Sequence, residues 1–517
     1  MHEIITLQLG QQSNYLATHF WNAQESYFTY AENEESAIDH DVHWRPGLGA
    51  DGSETFMPRT VIYDLKGGFG SLKRINALYD IQDDDPAQTS SLWGGKAVVQ
   101  KAEPIEPSAY QQSLDAGLEP PQLTTESVRY WSDFNRVFYH PRSIVQLNEY
   151  DLNSSIAPFE RWESGEELFA NLDKEHDLVD RDLRPFAEEA DHMQGIQIMT
   201  TVDDAWGGFA SRYMEKLRDE YGKTTIWVWG LQEGFQGVNR EKRLLRLVNK
   251  AKSLTEIYKQ ASLVIPIATP SSLSPRLRNV LSLDTSSSWH TSALLSAAIE
   301  SATLPSRLKD STNRDSLGNM TDLLNLHGKQ TVANLQMSFS GTGETPRSEE
   351  VGDEPKDGLR LDLDLRPADD LGDVRKQQNG YHRAPKIFSQ VLASRGERVD
   401  GTDEEQGDGE EEDDRTRRRG QRETISRRYR STLSYPLPDS FPHIFRDEKG
   451  EDLKSNVAVT TSLSTDAALS GRLKSLRSTV TRLIGVEDRE TLSNELAEMA
   501  DEYHEGWSSG SDSGDDD

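Results

Sequence analysis

The chain has 517 residues, 57 basic and 88 acidic side chains, a formal charge of −31, 34% apolar residues and no cysteine. Its length suits two or three domains, but the apolar share falls below the roughly 45–50% usual when Gly is counted, so part of the chain is expected to stay unpacked. The charge disfavours non-specific binding to nucleic acid or an anionic lipid surface, and the missing cysteine excludes disulfides, thiolate catalysis and thiolate zinc sites. No apolar run approaches the length of a bilayer span. The first twenty residues lack Arg and Lys and include Glu3, so they do not read as a mitochondrial presequence.

In chain order, Ile4-Ile5-Thr6-Leu7-Gln8-Leu9 predicts a strand and Gly10-Gln11-Gln12-Ser13-Asn14 a polar turn, before Leu16, Phe20 and Ala23 recur at helical spacing. A strand running through a Gly turn into a helix aims backbone N–H groups and a positive dipole end at one spot, which suits a phosphate. Asn33 to Thr55 is acidic, carries Gly47, Gly49 and Gly52, and reads as a surface loop. A β-branched run then ends in Asp64, followed by Leu65, Lys66 and the Gly67-Gly68 turn. Asp83-Asp84-Asp85-Pro86 and Trp93-Gly94-Gly95-Lys96 read as loops; order resumes over 126–150, and Trp162 to Asp191 is helical in pattern and heavily charged.

Gly195 to Val202 predicts a strand, Asp203-Asp204-Ala205-Trp206-Gly207-Gly208 a turn, and Phe209, Tyr213, Leu217 and Tyr221 a helix. The strand Thr224 to Gly230 completes a β-α-β unit, and a helix from about Glu241 to Tyr258 leads to the buried-strand pattern Ser262 to Ile267. Such alternation argues for a doubly wound α/β core. Residues 341–425 break down into Gly, Pro, Arg and acid; nine of the twelve residues over 403–414 are acidic, and Arg415, Arg417, Arg418 and Arg419 follow. That composition reads as an insertion unable to bury enough apolar surface to fold. Order is expected again at Tyr435-Pro436-Leu437-Pro438 and Phe441 to Phe445, followed by amphipathic helices around Thr465–Leu483 and Asp488–Tyr503. The expected organisation is an α/β domain over 1–235, a connecting helix and first part of a second α+β domain over 236–340, and a disordered insertion over 341–430. The rest of the second domain with C-terminal helices follows over 431–505, then an acidic tail over 506–517.

The three strand–loop units, in this order, resemble the nucleotide loops of tubulin and FtsZ-like proteins, which implies that fold. The phrases Trp131-Ser132-Asp133-Phe134, Tyr139-His140-Pro141-Arg142-Ser143 and His290-Thr291-Ser292-Ala293-Leu294-Leu295 are not tubulin phrases. They resemble the Misato family, a tubulin-related eukaryotic group, with the long acidic insertion marking a fungal-type member. The resemblance spans most of residues 1–340, resumes near Tyr435, and implies a role in mitochondrial distribution and mitochondrial DNA inheritance.

The loops differ in how well they suit GTP. Gly10, Gln11 and Asn14 keep the tubulin types and Gln12 offers a donor, although Gln11 and Asn14 would equally cap the helix. Where tubulins carry an acid two positions after Asp64, near magnesium, this chain has Lys66, which would repel Mg²⁺ yet could pair with a phosphate or simply face solvent. A phosphate cradle needs residues without Cβ; only Gly207 and Gly208 remain, behind two carboxylates and an indole. Asp203 and Asp204 read more simply as an acidic N-cap pair. The nearest equivalent of the catalytic loop, Trp289 to Glu300, has no early carboxylate, and Glu300 lies more than two turns along its helix. His40-Asp41-Val42-His43 lacks a third metal ligand.

No catalytic residue and no metal site are therefore expected. Gly10, Gln11, Gln12, Asn14, Asp64, Lys66, Gly207 and Gly208 are the cofactor contacts only if GTP binds. The expected protein is a non-enzymatic scaffold that meets protein partners at the cytosolic face of mitochondria, without direct nucleic-acid contact. The alternatives are a polymerising GTPase and an adaptor or client of the chaperonin that folds tubulins and actins.

Overall fold

The computed structural model describes residues 3–29, 35–49, 52, 54–73, 105–233, 237–270, 273, 275–326, 328–340, 361–367, 385–396, 424–447, 449–454 and 456–504. Strands β1 (Glu3–Leu9), β4 (Thr60–Lys66), β5 (Ile144–Asp151), β6 (Met193–Thr201), β7 (Thr225–Gln232) and β8 (Leu263–Ala268) form one sheet in the order β5-β4-β1-β6-β7-β8, and every pairing is parallel. Strands β2 (Trp44–Leu48) and β3 (Glu54–Pro58) pair as a separate hairpin. The sheet is covered on both faces, which is why its strands read as near-continuous apolar runs. Alternate residues split between two cores: Ile4, Trp227 and Trp229 point one way, and Ile5, Leu7, Ile226 and Val228 the other.

Helix α1 (Gln11–Glu25) lies on the first face. On the opposite face lie α3 (Trp162–His176), α5 (Ala205–Glu220) and α6 (Arg240–Gln260); short helices α2 (Ala109–Asp115) and α4 (Arg184–Glu188) fill the connections. The order is doubly wound, as expected, and the winding reverses between β1 and β6, where ligands of such folds bind.

After α7 (Pro275–Val280) comes α8 (Ser288–Ala302), buried on nearly all sides as its composition requires, then α9 (Leu317–Leu324). Helix α8 packs along α1 and against a second sheet built from β9 (Asn334–Ser340), β10 (Leu361–Asp364), β11 (Ile387–Arg395), β12 (Ile425–Ser431) and β14 (Asn456–Asp466). Its order is β10-β9-β14-β11-β12, with the short β13 (Tyr435–Pro436) on β14. Helices α10 (Ala468–Val480) and α11 (Val486–Asp501) form a hairpin against α6.

Four expectations change. The first sheet continues to Ala268, so a boundary at residue 235 would cut off its edge strand β8; an apolar run announces a buried strand but not its sheet. The range 341–430 is not uniformly unfolded, because β10, β11 and β12 lie in it and β11 sits between β12 and β14. Averaging over a charged region hid this nine-residue strand, whose stability comes from partners far along the chain. The acidic run 403–414, Arg415–Arg419, residues 83–86 and 93–96 and the tail over 506–517 fall outside the described residues. Strand β14 was not anticipated, and it delays the helix expected from Thr465 to Ala468; its Thr- and Ser-rich sequence is buried from Val457 to Asp466. The surface loop expected over 33–55 contains β2 and the first two residues of β3.

Candidate functional site

A cleft of about 920 Å³ opens at the C-terminal ends of β1, β4 and β6, with Gln11, Gln12, Tyr15, Asp64, Asp203 and Trp206 in its walls. It begins at Gly10, which has a φ of 85° and donates its N–H to the Tyr63 carbonyl at 3.0 Å. That φ favours glycine. A Cβ there would also lie 2.4 Å from Trp206 Nε1. Trp206 is 5% exposed and packs edge-on to Phe159 and Phe209, so its indole lies against the first loop's turn.

The polar residues of the first loop are engaged by the second. Buried Asp64 accepts hydrogen bonds from Gln11 Nε2 and Asn14 Nδ2, both at 2.7 Å, from Leu65 N–H at 2.8 Å and from Trp131 Nε1 at 3.3 Å. Burial pushes its carboxyl up to about 7 against the pull of these donors. Gln11 Nε2 also reaches the Gly68 carbonyl at 2.7 Å, and a Cβ on Gly68 would meet Asp64 Oδ1 at 2.3 Å. Gln12 donates to Glu233 at 3.2 Å. Lys66 departs from the phosphate reading: it pairs with Asp151 at 3.0 Å, both side chains more than half exposed, because it is the outward last residue of β4.

Gly207 and Gly208 depart too. Both are buried within α5 and neither lines the cleft. A Cβ on Gly207 would meet Ser253 Oγ of α6 at 2.1 Å, and one on Gly208 the Trp162 carbonyl of α3 at 2.0 Å. Gly165 of α3 completes the close approach, its Cβ position being 1.7 Å from the Ala205 carbonyl. These glycines let three helices pack; they form no cradle.

Asp204 is the N-cap of α5, accepting the Trp206 N–H at 2.8 Å and the Thr201 hydroxyl at 2.6 Å, and burial pushes it up to about 6. Asp203 accepts the Glu233 N–H at 3.2 Å and is held at about 7 by burial and by Asp204. The cations lining the cleft are engaged by carboxylates: Arg246 with Glu233, Lys242 with Glu160 at 2.6 Å, Arg129 with Asp133 at 3.2 Å. A polyphosphate would therefore meet carboxylates and an indole where it needs bare N–H groups. Among the described residues no group of three or more His, Asp or Glu side chains could hold a metal. His40 stacks on Phe28 with centroids 4.0 Å apart, while buried His43 lies edge-on to Phe20 and Trp21.

The Trp289–Glu300 segment, compared above with a catalytic loop, is interior helix. Trp289 Nε1 donates to the Ser440 carbonyl at 3.1 Å, and Glu300 is fully buried between Arg307 and Arg395. The Glu300 carboxylate is therefore committed to the interior, and the helix start at Ser288 borders the cleft. Sequence reasoning missed Trp131, Tyr15, Glu233 and Arg246 as parts of the site. Trp131 carried one signal, since a buried indole N–H needs an acceptor.

Residues 2–116 match the Misato Segment II tubulin-like domain, and residues 120–308 match a tubulin domain family. Over the full length of both chains, the sequence is 59% identical to Protein dml-1 of Neurospora crassa and 50% identical to Protein DML1 of Gibberella zeae. Protein dml1 of Schizosaccharomyces pombe is 33% identical over 60% of this chain and 67% of its own. Among the described residues no helix is long and apolar enough to cross a membrane.

Proposed function

This chain belongs to the Misato family of tubulin-like proteins, and from that premise we propose that it is a non-enzymatic scaffold acting in the partitioning of mitochondria and the inheritance of mitochondrial DNA. The mitochondrial role rests on the family resemblance. The non-enzymatic part rests on one observation: Trp206 occupies the space against Gly10 while Gln11 and Asn14 are bound to Asp64. A tubulin-type loop would hold that space open for phosphate. The chain works at the cytosolic face of mitochondria through protein partners.

Nucleotide released from purified native protein by denaturation and quantified by chromatography tests the first part. The expected result is an empty site and no thermal shift with added GTP; stoichiometric GTP or GDP would overturn it. For the second part, the expected result is co-fractionation with mitochondria, release by alkaline carbonate and uneven mitochondrial partitioning after depletion. Normal partitioning in depleted cells would overturn the role.

One observation favours a GTP-binding second reading: a cleft of suitable size stands at the switch point of a doubly wound sheet. Filaments that form only with GTP would support it.

A further inference from the structure

The C-terminal hairpin carries a basic groove in an acidic protein. Lys474, Arg477 and Thr481 of α10 and its following turn face Arg489 and Ser493 of α11, with Glu490 beside them, around a cavity of about 610 Å³. Helix α11 is rich in acid, yet two of its carboxylates and one just beyond its end are drawn to the body of the protein. Asp488 pairs with Lys252 at 3.3 Å, Glu495 with Lys259 at 2.8 Å and Glu502, just past the helix, with Lys329 at 3.0 Å. The α10 side of α11 is left with an excess of positive charge.

Among the described residues the two groove arginines are bonded to neutral groups and only Lys474 has a carboxylate at ion-pair distance, at its outer limit. Arg477 Nε donates to the neutral Ser493 Oγ at 2.8 Å, Arg489 to the Ile484 carbonyl at 2.9 Å, and Lys474 comes only within 3.9 Å of the exposed Asp501. A guanidinium has five N–H donors in a fork, so Arg477 and Arg489 keep donors for a carboxylate. Lys474, Arg477 and Thr481 recur at i, i+3 and i+7 and so line one side of α10 and its following turn, with Arg489 on the facing helix. Lys474 to Thr481 spans seven residues, about 10 Å along a helix at 1.5 Å per residue. That is the span of about three residues of extended peptide at roughly 3.3 Å each.

We propose that this groove binds a short acidic stretch of a partner protein, with successive carboxylates seated on Lys474, Arg477 and Arg489. The site lies apart from the cleft and stands whether or not the cleft holds a nucleotide. Because the protein as a whole is strongly negative, binding depends on this local row and weakens steeply with salt.

Fluorescence anisotropy with a labelled hexaglutamate peptide and the full chain tests it. The expected result is saturable binding that Arg477→Glu/Arg489→Glu weakens by at least about tenfold, as loss of close charge pairs does, while Arg477→Lys/Arg489→Lys retains most of it. Both residues are solvent-accessible, and an unchanged melting temperature would show that the charge-reversed variant is folded. No peptide binding by the wild-type chain, or equal binding by the folded charge-reversed variant, would overturn the proposal. So would binding of phosphatidylserine vesicles or inorganic phosphate, lost in the same variant, with no response to the peptide.

Discussion

Glu300 of α8 holds Arg395 of β11 in the buried boundary between the two sheets, so a residue within the charged range that reads as unfolded anchors the second domain to the first. Arg307 grips the same carboxylate, and Gln24 and Tyr27 of the α1 region donate to it at 3.0 and 2.9 Å. Arg395 also donates to Tyr27 at 2.7 Å and to the Ser434 carbonyl at 2.9 Å. Burial alone would raise the Glu300 carboxyl, but the two guanidiniums overcome that and hold it below its ordinary value.

Glu300→Gln should therefore destabilise the protein by about 3–5 kcal/mol, because it leaves two guanidiniums buried without their counter-charge. The exposed Lys66–Asp151 pair is the control: Lys66→Ala should cost less than about 1 kcal/mol. Urea unfolding of the three proteins measures both. Equal losses would mean that the buried cluster does not join the sheets.

Trp206→Gly should cost about 3–5 kcal/mol from the cavity it leaves and should free the Gly10 turn. Combined with Asp203→Asn, which removes a carboxylate from the cleft wall, it should yield a GTP-dependent thermal shift that the wild-type protein lacks. A folded double variant that ignores GTP would show that the indole is not what closes the site.

Gly208→Ala should destabilise by about 1–3 kcal/mol or more through overpacking, since its Cβ would be driven into the Trp162 carbonyl. Gly471 in α10 has nothing within 4 Å of its Cβ position, so Gly471→Ala should instead stabilise by about 0.5–1 kcal/mol. Thermal melts read both signs without any ligand. A harmless Gly208→Ala would return that glycine to the list of candidate phosphate contacts.

His19 is buried, with Nε2 3.0 Å from the Trp289 carbonyl, and burial lowers it to about 3. An unfolded histidine titrates near 6.5, so between about 6.5 and 3 the unfolded chain binds a proton that the folded one refuses. Stability from this group is complete above about 6.5 and is lost as pH falls, amounting to about 2 kcal/mol by pH 5. Asp64 and Asp203, both raised to about 7, act in the opposite sense over much of that range. The variant comparison isolates the histidine: His19→Gln should lose less stability between pH 7 and pH 5 than the wild-type protein. Parallel pH profiles would contradict a neutral buried His19.

Much of the first domain was legible. Period-two and period-3.6 patterns placed β1, β6, α5 and β7 within a residue or two, because each buries a continuous face and local spacing reports that directly. The second sheet was not. Strand β14 hides its burial behind Thr and Ser, whose hydroxyls find partners only across strands, as Thr460 does with Ser394 at 3.2 Å. Strand β11 is flanked by charge on both sides in the sequence. The site was half legible: Asp204 caps α5, but the same spacing that suggests phosphate glycines at 207 and 208 serves equally well for helix packing.

By itself the sequence determined the order and type of the first domain's elements, the phrases that mark the family and the excess of acid, because these depend on neighbouring residues and composition. Only the tertiary structure decided what each polar group bonds to. Gln11 meets Asp64 from 53 positions away, Arg395 meets Glu300 from 95, and Trp206 lies against Gly10 from the far side of the sheet. Such partners are chosen by which segments pack together over long closed loops, and no local spacing encodes that choice.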